Sequence, residues 1–179
     1  PGITDADRQI IGDANPDFTF GMTHNFSYKN FSLSFFLQGC VGGDIFNANL
    51  IKVTMSGIGN IPQEMYDTRW TPENRDLAQW PKAYSGYGRT MKLSDRYVED
   101  GSYLRMKNIT LSYSLPKAWI NKLYLSNASL FVTATNLFTI TQWPGLDPET
   151  VATGITSMGT NNDPYPLSRS FSLGVKLQF

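Results

Sequence analysis

Five aromatic rings are the residues of this chain best suited to hold a ligand. Trp70, Trp80, Tyr84 and Tyr87 fall in one charge-rich stretch and Trp143 in a later one. Flat ring faces suit the C–H faces of sugars, while Asn74, Arg75, Asp76 and Arg89 supply donors and acceptors for hydroxyls. Taken singly, each ring reads as a pin that holds a folded loop to its neighbours. Taken together, they mark a place where a ligand would stack.

Reactive chemistry is harder to find. Asp147-Pro148-Glu149 offers two carboxylates, but acid–base work on a bond needs carboxyls on its opposite sides. A Pro-spaced pair just after Gly145 reads as a turn tied to a neighbouring loop. His24 has no Cys, Asp or Glu beside it, so it reads as structural and no metal is expected. Cys40 is the sole cysteine and has no adjacent histidine, which leaves neither a disulfide nor an activated thiol. Gly42-Gly43 and Gly57-Ile58-Gly59 lack the strand–helix setting of a phosphate loop. No catalytic residue and no cofactor are expected.

The elements that carry these residues alternate with period two. Phe18, Phe20, Met22, His24, Phe26 and Tyr28 share one parity; Thr19, Gly21, Thr23, Asn25 and Ser27 share the other. That is a strand. Lys29-Asn30 makes a minimal turn, and Phe31, Leu33, Phe35 and Leu37 continue the apolar face. The last segment repeats the pattern. Tyr165, Leu167, Phe171, Leu173, Val175, Leu177 and Phe179 oppose Ser168, Ser170, Ser172, Gly174, Lys176 and Gln178, with Arg169 the one charge on the apolar parity. Two middle strands are less clean. In Tyr103–Leu115, Arg105 and Lys107 share parity with Ile109, Leu111 and Tyr113, which implies either a charged half above the apolar zone or a bulge that shifts the phase. Leu125–Ile140 is apolar on both parities in places, so its facing is ambiguous.

Composition agrees with one-sided sheets. Charged residues make up 17% of the 179, against about 25% in ordinary soluble domains. Half of them, 15 of 30, lie between Asp44 and Asp100, and none falls between Lys122 and Asp147. The net charge is zero, which gives no reason to expect nucleic acid. The opening Pro1–Asp5 lacks the apolar centre of a secretory signal, and no run reaches the roughly 20 apolar residues of a membrane helix. Strands of about 9–11 residues cross a bilayer when tilted, and these segments are that long. Connections alternate: short at Lys29-Asn30, long over about 39–101, short over Pro116–Tyr124 with one helical turn at Lys117–Asn121, long over about 141–164. Such alternation is typical of outer-membrane barrels, with short periplasmic turns and long extracellular loops. On that phase residues 1–17 end an earlier extracellular loop, residues 18–179 form wall strands, and the C-terminus is periplasmic. Tyr28, Phe31, Tyr113, Trp119 and Tyr124 flank the short turns, where interfacial aromatics belong.

Several segments carry a family resemblance. Asp7-Arg8-Gln9-Ile10-Ile11-Gly12, Asn15-Pro16-Asp17-Phe18, Tyr28-Lys29-Asn30-Phe31, the run Tyr97–Asn108, Thr135-Asn136-Leu137-Phe138, Gly145–Glu149 and Tyr165–Phe171 resemble, in order, the C-terminal region of SusC/RagA-like TonB-dependent transporters of the Bacteroidetes type. The resemblance implies an all-β, antiparallel transmembrane β-barrel, this chain supplying about the last five strands of roughly 22 around a plugged lumen. It implies a plug and TonB box outside this chain, a SusD-like surface lipoprotein, energy through TonB–ExbB–ExbD, and oligosaccharide cargo, or peptides in some members. Those loop aromatics would then meet either cargo or the lipoprotein. Ser172, Gly174, Leu177 and Phe179 resemble the sorting signal read by the outer-membrane barrel assembly machinery. The reading of another class is a secreted carbohydrate-binding β-sandwich. Detergent separates the two: a sandwich purifies without it, and a barrel wall facing the lipid bilayer does not.

Overall fold

A computed structural model describes residues 4–55, 60–82, 94–162 and 164–179. Its strands in chain order are β1 (Pro16–Tyr28), β2 (Phe31–Gly42), β3 (Asp44–Asn47), β4 (Val98–Asp100), β5 (Tyr103–Ser114), β6 (Asn127–Thr135), β7 (Thr139–Thr141), β8 (Thr160–Asn161) and β9 (Ser170–Gln178). The larger sheet runs β1-β2-β5-β6-β9, every pair antiparallel, with β7 continuing the line of β6 against β5. A smaller sheet, β4-β3-β8, sits in the long connections. Among the described residues no helix is long and apolar enough to cross a membrane.

The register lines up whole rows across the wall. One row is Tyr28, Phe31, Tyr113, Leu130 and Val175; the next is Phe26, Leu33, Leu111, Val132 and Leu173; a third is His24, Phe35, Ile109, Ala134 and Phe171. Between them run Ser27, Ser32, Ser112, Phe131 and Gly174, then Asn25, Ser34, Thr110, Thr133 and Ser172. One face is therefore apolar and the other is lined by hydroxyls and amides. The apolar face has no second layer from the described residues: Phe26, Leu111, Val132 and Val175 are exposed, and Leu173 is 79% exposed. The rows also resolve the facing of β6, whose Leu130, Val132 and Ala134 join the apolar side while Phe131 lies on the other. His24, awkward by sequence on an apolar face, packs its ring 5.1 Å from Phe35 and 5.9 Å from Phe26.

A bulge explains the charges in β5. Phe36 pairs with Asn108 and the next residue, Leu37, pairs with Met106, which leaves Lys107 out of register. Beyond it Leu104 and Met106 take the apolar face and Arg105 turns to the hydroxyl face, level with Gln38. The neighbouring line answers with its own irregularity. Asn136 adopts φ 50, and the N–H groups of Asn136 and Leu137 donate to the carbonyls of Lys107 and Met106 at 3.0 Å.

Two expected boundaries shift. The final ladder begins at Ser170, not Tyr165, because its partner β6 ends at Thr135, opposite Ser170. Arg169 thus lies outside the paired strand. The connection after β2 is also more structured than a bare loop. β2 runs on to Gly42, and Gly42 and Gly43, at φ 73 and 81, turn the chain into β3 through a region closed to most side chains. A helix α1 (Ala48–Met55) and a short helix α2 (Gln63–Asp67) follow. A further helical turn, α3 (Lys117–Ile120), occupies the short β5–β6 connection. Part of the burial lies in this loop layer. Ile45, Met65 and Tyr97 are buried, with Phe46 edge-on to Tyr97 at 6.5 Å.

Adjacent positions of β9 test the two faces. In the intact receptor Leu173→Arg is expected to destabilise the barrel by about 2–4 kcal/mol, whereas Ser172→Arg costs well under half as much. Heat-modifiable gel migration and denaturant titration in detergent measure both.

Candidate functional site

The most buried polar cluster lies where the second long connection meets β5. Arg105 and Asp147 are each 3% exposed. Arg105 Nη2 donates to Asp147 Oδ1 at 2.5 Å and Arg105 Nε to Thr139 Oγ1 at 2.8 Å. Lys107, the bulge residue, places Nζ 2.5 Å from Glu149 Oε1. Arg105 Nη1 stands 2.8 Å from Glu149 Oε2, an ion-pair distance, but the N–H points off the oxygen, so neither atom has a hydrogen-bond partner among the described residues. Asp147 also accepts at 3.0 Å from the backbone N–H groups of Glu149 and Leu167. Burial pushes the Asp147 carboxyl up. Hydrogen bonds from Arg105, Glu149 and Leu167, with the Arg105 charge, outweigh it and hold the group below its ordinary value.

Two cations on β5 thus neutralise two carboxylates on the connection, a turn tied to its neighbour as Asp147-Pro148-Glu149 suggested. The partner residues were hidden in the sequence. Arg105 and Lys107 read as misfits on an apolar parity, and only the bulge turns them toward the acids.

The aromatic candidates divide. Trp70 and Trp80 come together: Trp70 N–H donates to the Trp80 carbonyl at 2.7 Å, and both rings are half-buried. The Arg96 guanidinium lies 4.8 Å from the centre of the Trp80 ring, and its Nη1 donates to the Gln79 carbonyl at 2.5 Å. Asn74 is used within the loop: its Oδ1 accepts from Thr71 N–H at 2.7 Å and its Nδ2 donates to the Arg69 carbonyl at 2.8 Å. Arg75 and Asp76 remain exposed. Trp143 is only 5% exposed and packs over Gly145, where a side chain would collide with the indole. Tyr84, Tyr87 and Arg89 lie outside the described residues. Arg96 was missed because nothing in sequence links it to Trp80.

On β9, Gly174 sits beneath Phe131 of β6, and a Cβ there would strike the ring. Ser172 faces the hydroxyl side, paired with Thr133, while Leu177 and Phe179 are exposed. The Ser126 hydroxyl donates to the Gln178 carbonyl at 3.0 Å, which fastens the end of the strand to its neighbour.

No protein-family model matches the chain. Curated relatives do. The chain is 37% identical over 183 residues to TonB-dependent receptor P3 of Formosa agariphila, covering 99% of this chain and 18% of that protein. It is 32% identical over 181 residues to TonB-dependent receptor SusC of Bacteroides thetaiotaomicron, covering 99% of this chain and 16% of that one. Among solved structures it is similar to the RagAB peptide importer in its open-open state, with TM-score 0.79 and 25% identity over 100% of this chain and 19% of that chain. The chain thus spans less than a fifth of the length of the relatives it matches. Its larger antiparallel sheet is a section of such a barrel wall.

Breaking the Arg105–Asp147 pair leaves a buried charge, so Arg105→Ala is expected to cost about 3–5 kcal/mol locally. Faster hydrogen exchange and proteolysis over residues 142–167 would register it. The pH dependence has a definite sign. Because the folded Asp147 value is depressed, its contribution is complete above the ordinary carboxylate range near about 4 and fades only as pH falls through the lowered value. Arg105→Gln removes the main opposing influence on a buried carboxyl, so loss of protection moves to higher pH.

Proposed function

Because this chain belongs to the SusC/RagA-like TonB-dependent receptors, we propose that it forms part of the wall of an outer-membrane importer of oligosaccharides. The observation that carries this reading is the set of apolar rows, exposed on one face of the sheet and backed by a hydroxyl-lined face. Hydrocarbon is the solvent such a face requires, and the polar face then lines a lumen. The short turns at Lys29-Asn30 and α3 are periplasmic, as is the C-terminus; the long connections at about 39–101 and 141–164 are extracellular. A SusD-like lipoprotein covers the mouth, and TonB–ExbB–ExbD drives uptake through parts of the receptor beyond this segment. The barrel assembly machinery reads Ser172, Gly174, Leu177 and Phe179.

Among the candidate contacts, Trp70 and Trp80 are supported by their half-exposed rings in one folded loop. Tyr84, Tyr87 and Arg89 follow Trp80 in the sequence and are proposed as further contacts. Trp143, being buried, acts as a support for the second connection. A second cargo, peptides, is favoured by the similarity to the RagAB peptide importer.

Uptake in a strain lacking the intact receptor distinguishes the cargoes. Growth lost on an oligosaccharide as sole carbon source, and restored by the receptor gene, supports the glycan reading. Growth lost only on peptides replaces it. In the complemented strain Trp70→Ala together with Trp80→Ala is expected to weaken uptake about tenfold, with surface expression unchanged. The sorting role has its own test. Gly174→Val should slow assembly and weaken the assembled barrel by about 1–3 kcal/mol. Adding Phe131→Ala relieves the collision and restores stability but leaves assembly slow; full recovery of assembly would assign Gly174 to packing alone.

A further inference from the structure

Charge is divided between the two ends of the wall. All 15 acidic residues lie outside the spans 18–43, 101–146 and 164–179, which hold both short turns and, apart from the first residues of β1, the five wall strands. The basic residues of those spans are Arg105 and Lys107, paired with acids at the long-connection end, Arg169, and four lysines toward the short-turn end: Lys29, Lys117, Lys122 and Lys176. Lys29 and Lys117 share an open groove with Asn30, Asn127 and Gln178 and no carboxylate. The ammonium of Lys29 lies 5.3 Å from the centre of the Tyr28 ring, which ends an apolar row. Lys117 and Lys122 bracket Trp119, and Tyr124 follows Lys122 by two residues; both rings are strongly exposed.

We propose that Lys29, Lys117 and Lys122 form a docking rim for anionic phospholipid headgroups in the leaflet at the short-turn end. The inference rests on the apolar rows facing hydrocarbon. Exposed aromatics that close those rows set the depth of the headgroup layer, and lysines beside them reach its phosphates while their stems stay against apolar surface. Each lysine near an anionic surface adds attraction, and no acidic side chain of the spans 18–43, 101–146 and 164–179 offsets it. Lys176 differs, because it lies on the hydroxyl face opposite Ser129.

The intact receptor, purified in neutral detergent, is mixed with phosphatidylglycerol and phosphatidylcholine, and retained lipid is counted by native mass spectrometry. The wild type is expected to prefer phosphatidylglycerol. K29Q/K117Q/K122Q should lower that preference at least about tenfold, while K176Q leaves it unchanged. An unaltered preference in the triple variant overturns the proposal. So does lipid retention that holds while the rest of the receptor becomes protease-sensitive, which assigns the lysines to an acidic protein segment. Salt gives a measure that needs no variant: preference that survives about 1 M salt, where screening reaches about 3 Å, also overturns it. Failure of the underlying reading looks different, since the intact receptor would then stay dispersed without detergent and insert into vesicles of neither lipid.

Discussion

A single layer of strands with two unlike faces is the constraint from which the rest follows. In a wall of this kind no second layer accepts stray polar groups from the apolar side, so every backbone N–H and carbonyl there must be satisfied along the ladder. The register then matters at every position, since a slip of one residue exchanges the faces. Rows such as Phe26, Leu33, Leu111, Val132 and Leu173 show that register kept across all five wall strands. Packing within the layer comes from rings laid over glycines, Phe131 on Gly174 and Phe20 on Gly39, rather than from an enclosed core. β1 and β9 are the sheet's two edges, each wanting a neighbour to complete the cylinder.

The long connections obey ordinary aqueous rules. They bury Ile45, Met65 and Tyr97, build a small sheet of their own, and carry 11 of the 15 acidic residues. Where they touch the wall, charge returns to it under control. Arg105 and Lys107 face Asp147 and Glu149 at the one level where both β5 and the β6–β7 line depart from regular pairing. Irregular backbone and neutralised charge coincide there because each permits the other. The bulge aims the cations, and the acids make their burial tolerable.

Much of the wall was legible because period-two patterns in β1, β2 and β9 are long and nearly unbroken. The family was legible from motifs in order along the whole chain. Parity failed at Lys107, where one unpaired residue changes the facing of everything beyond it; the alternation in β5 is real but written in two frames. It failed again before Ser170, because Tyr165, Leu167 and Arg169 continue the pattern after the partner strand has ended. The loop layer was least legible. Its strands are as short as Thr160–Asn161, held by partners distant in sequence, and no local signal announces a parallel rung between Phe46 and Thr160. For the same reason Trp143 looked like Trp70 and Trp80 in composition, while only the fold distinguishes a buried ring from half-exposed ones.

The β3–β4 ladder has a consequence for how such a chain diversifies. Asp44 pairs with Asp100 and Phe46 with Val98, so the chain leaves and rejoins on neighbouring rungs. Everything between is a cassette with its ends already closed. The entropy of closing a loop grows only slowly with its length, so the cassette can lengthen, shorten or be exchanged whole without moving a strand of the wall. A lineage that keeps the three rungs is free to rewrite its upper surface, and the barrel beneath inherits no penalty.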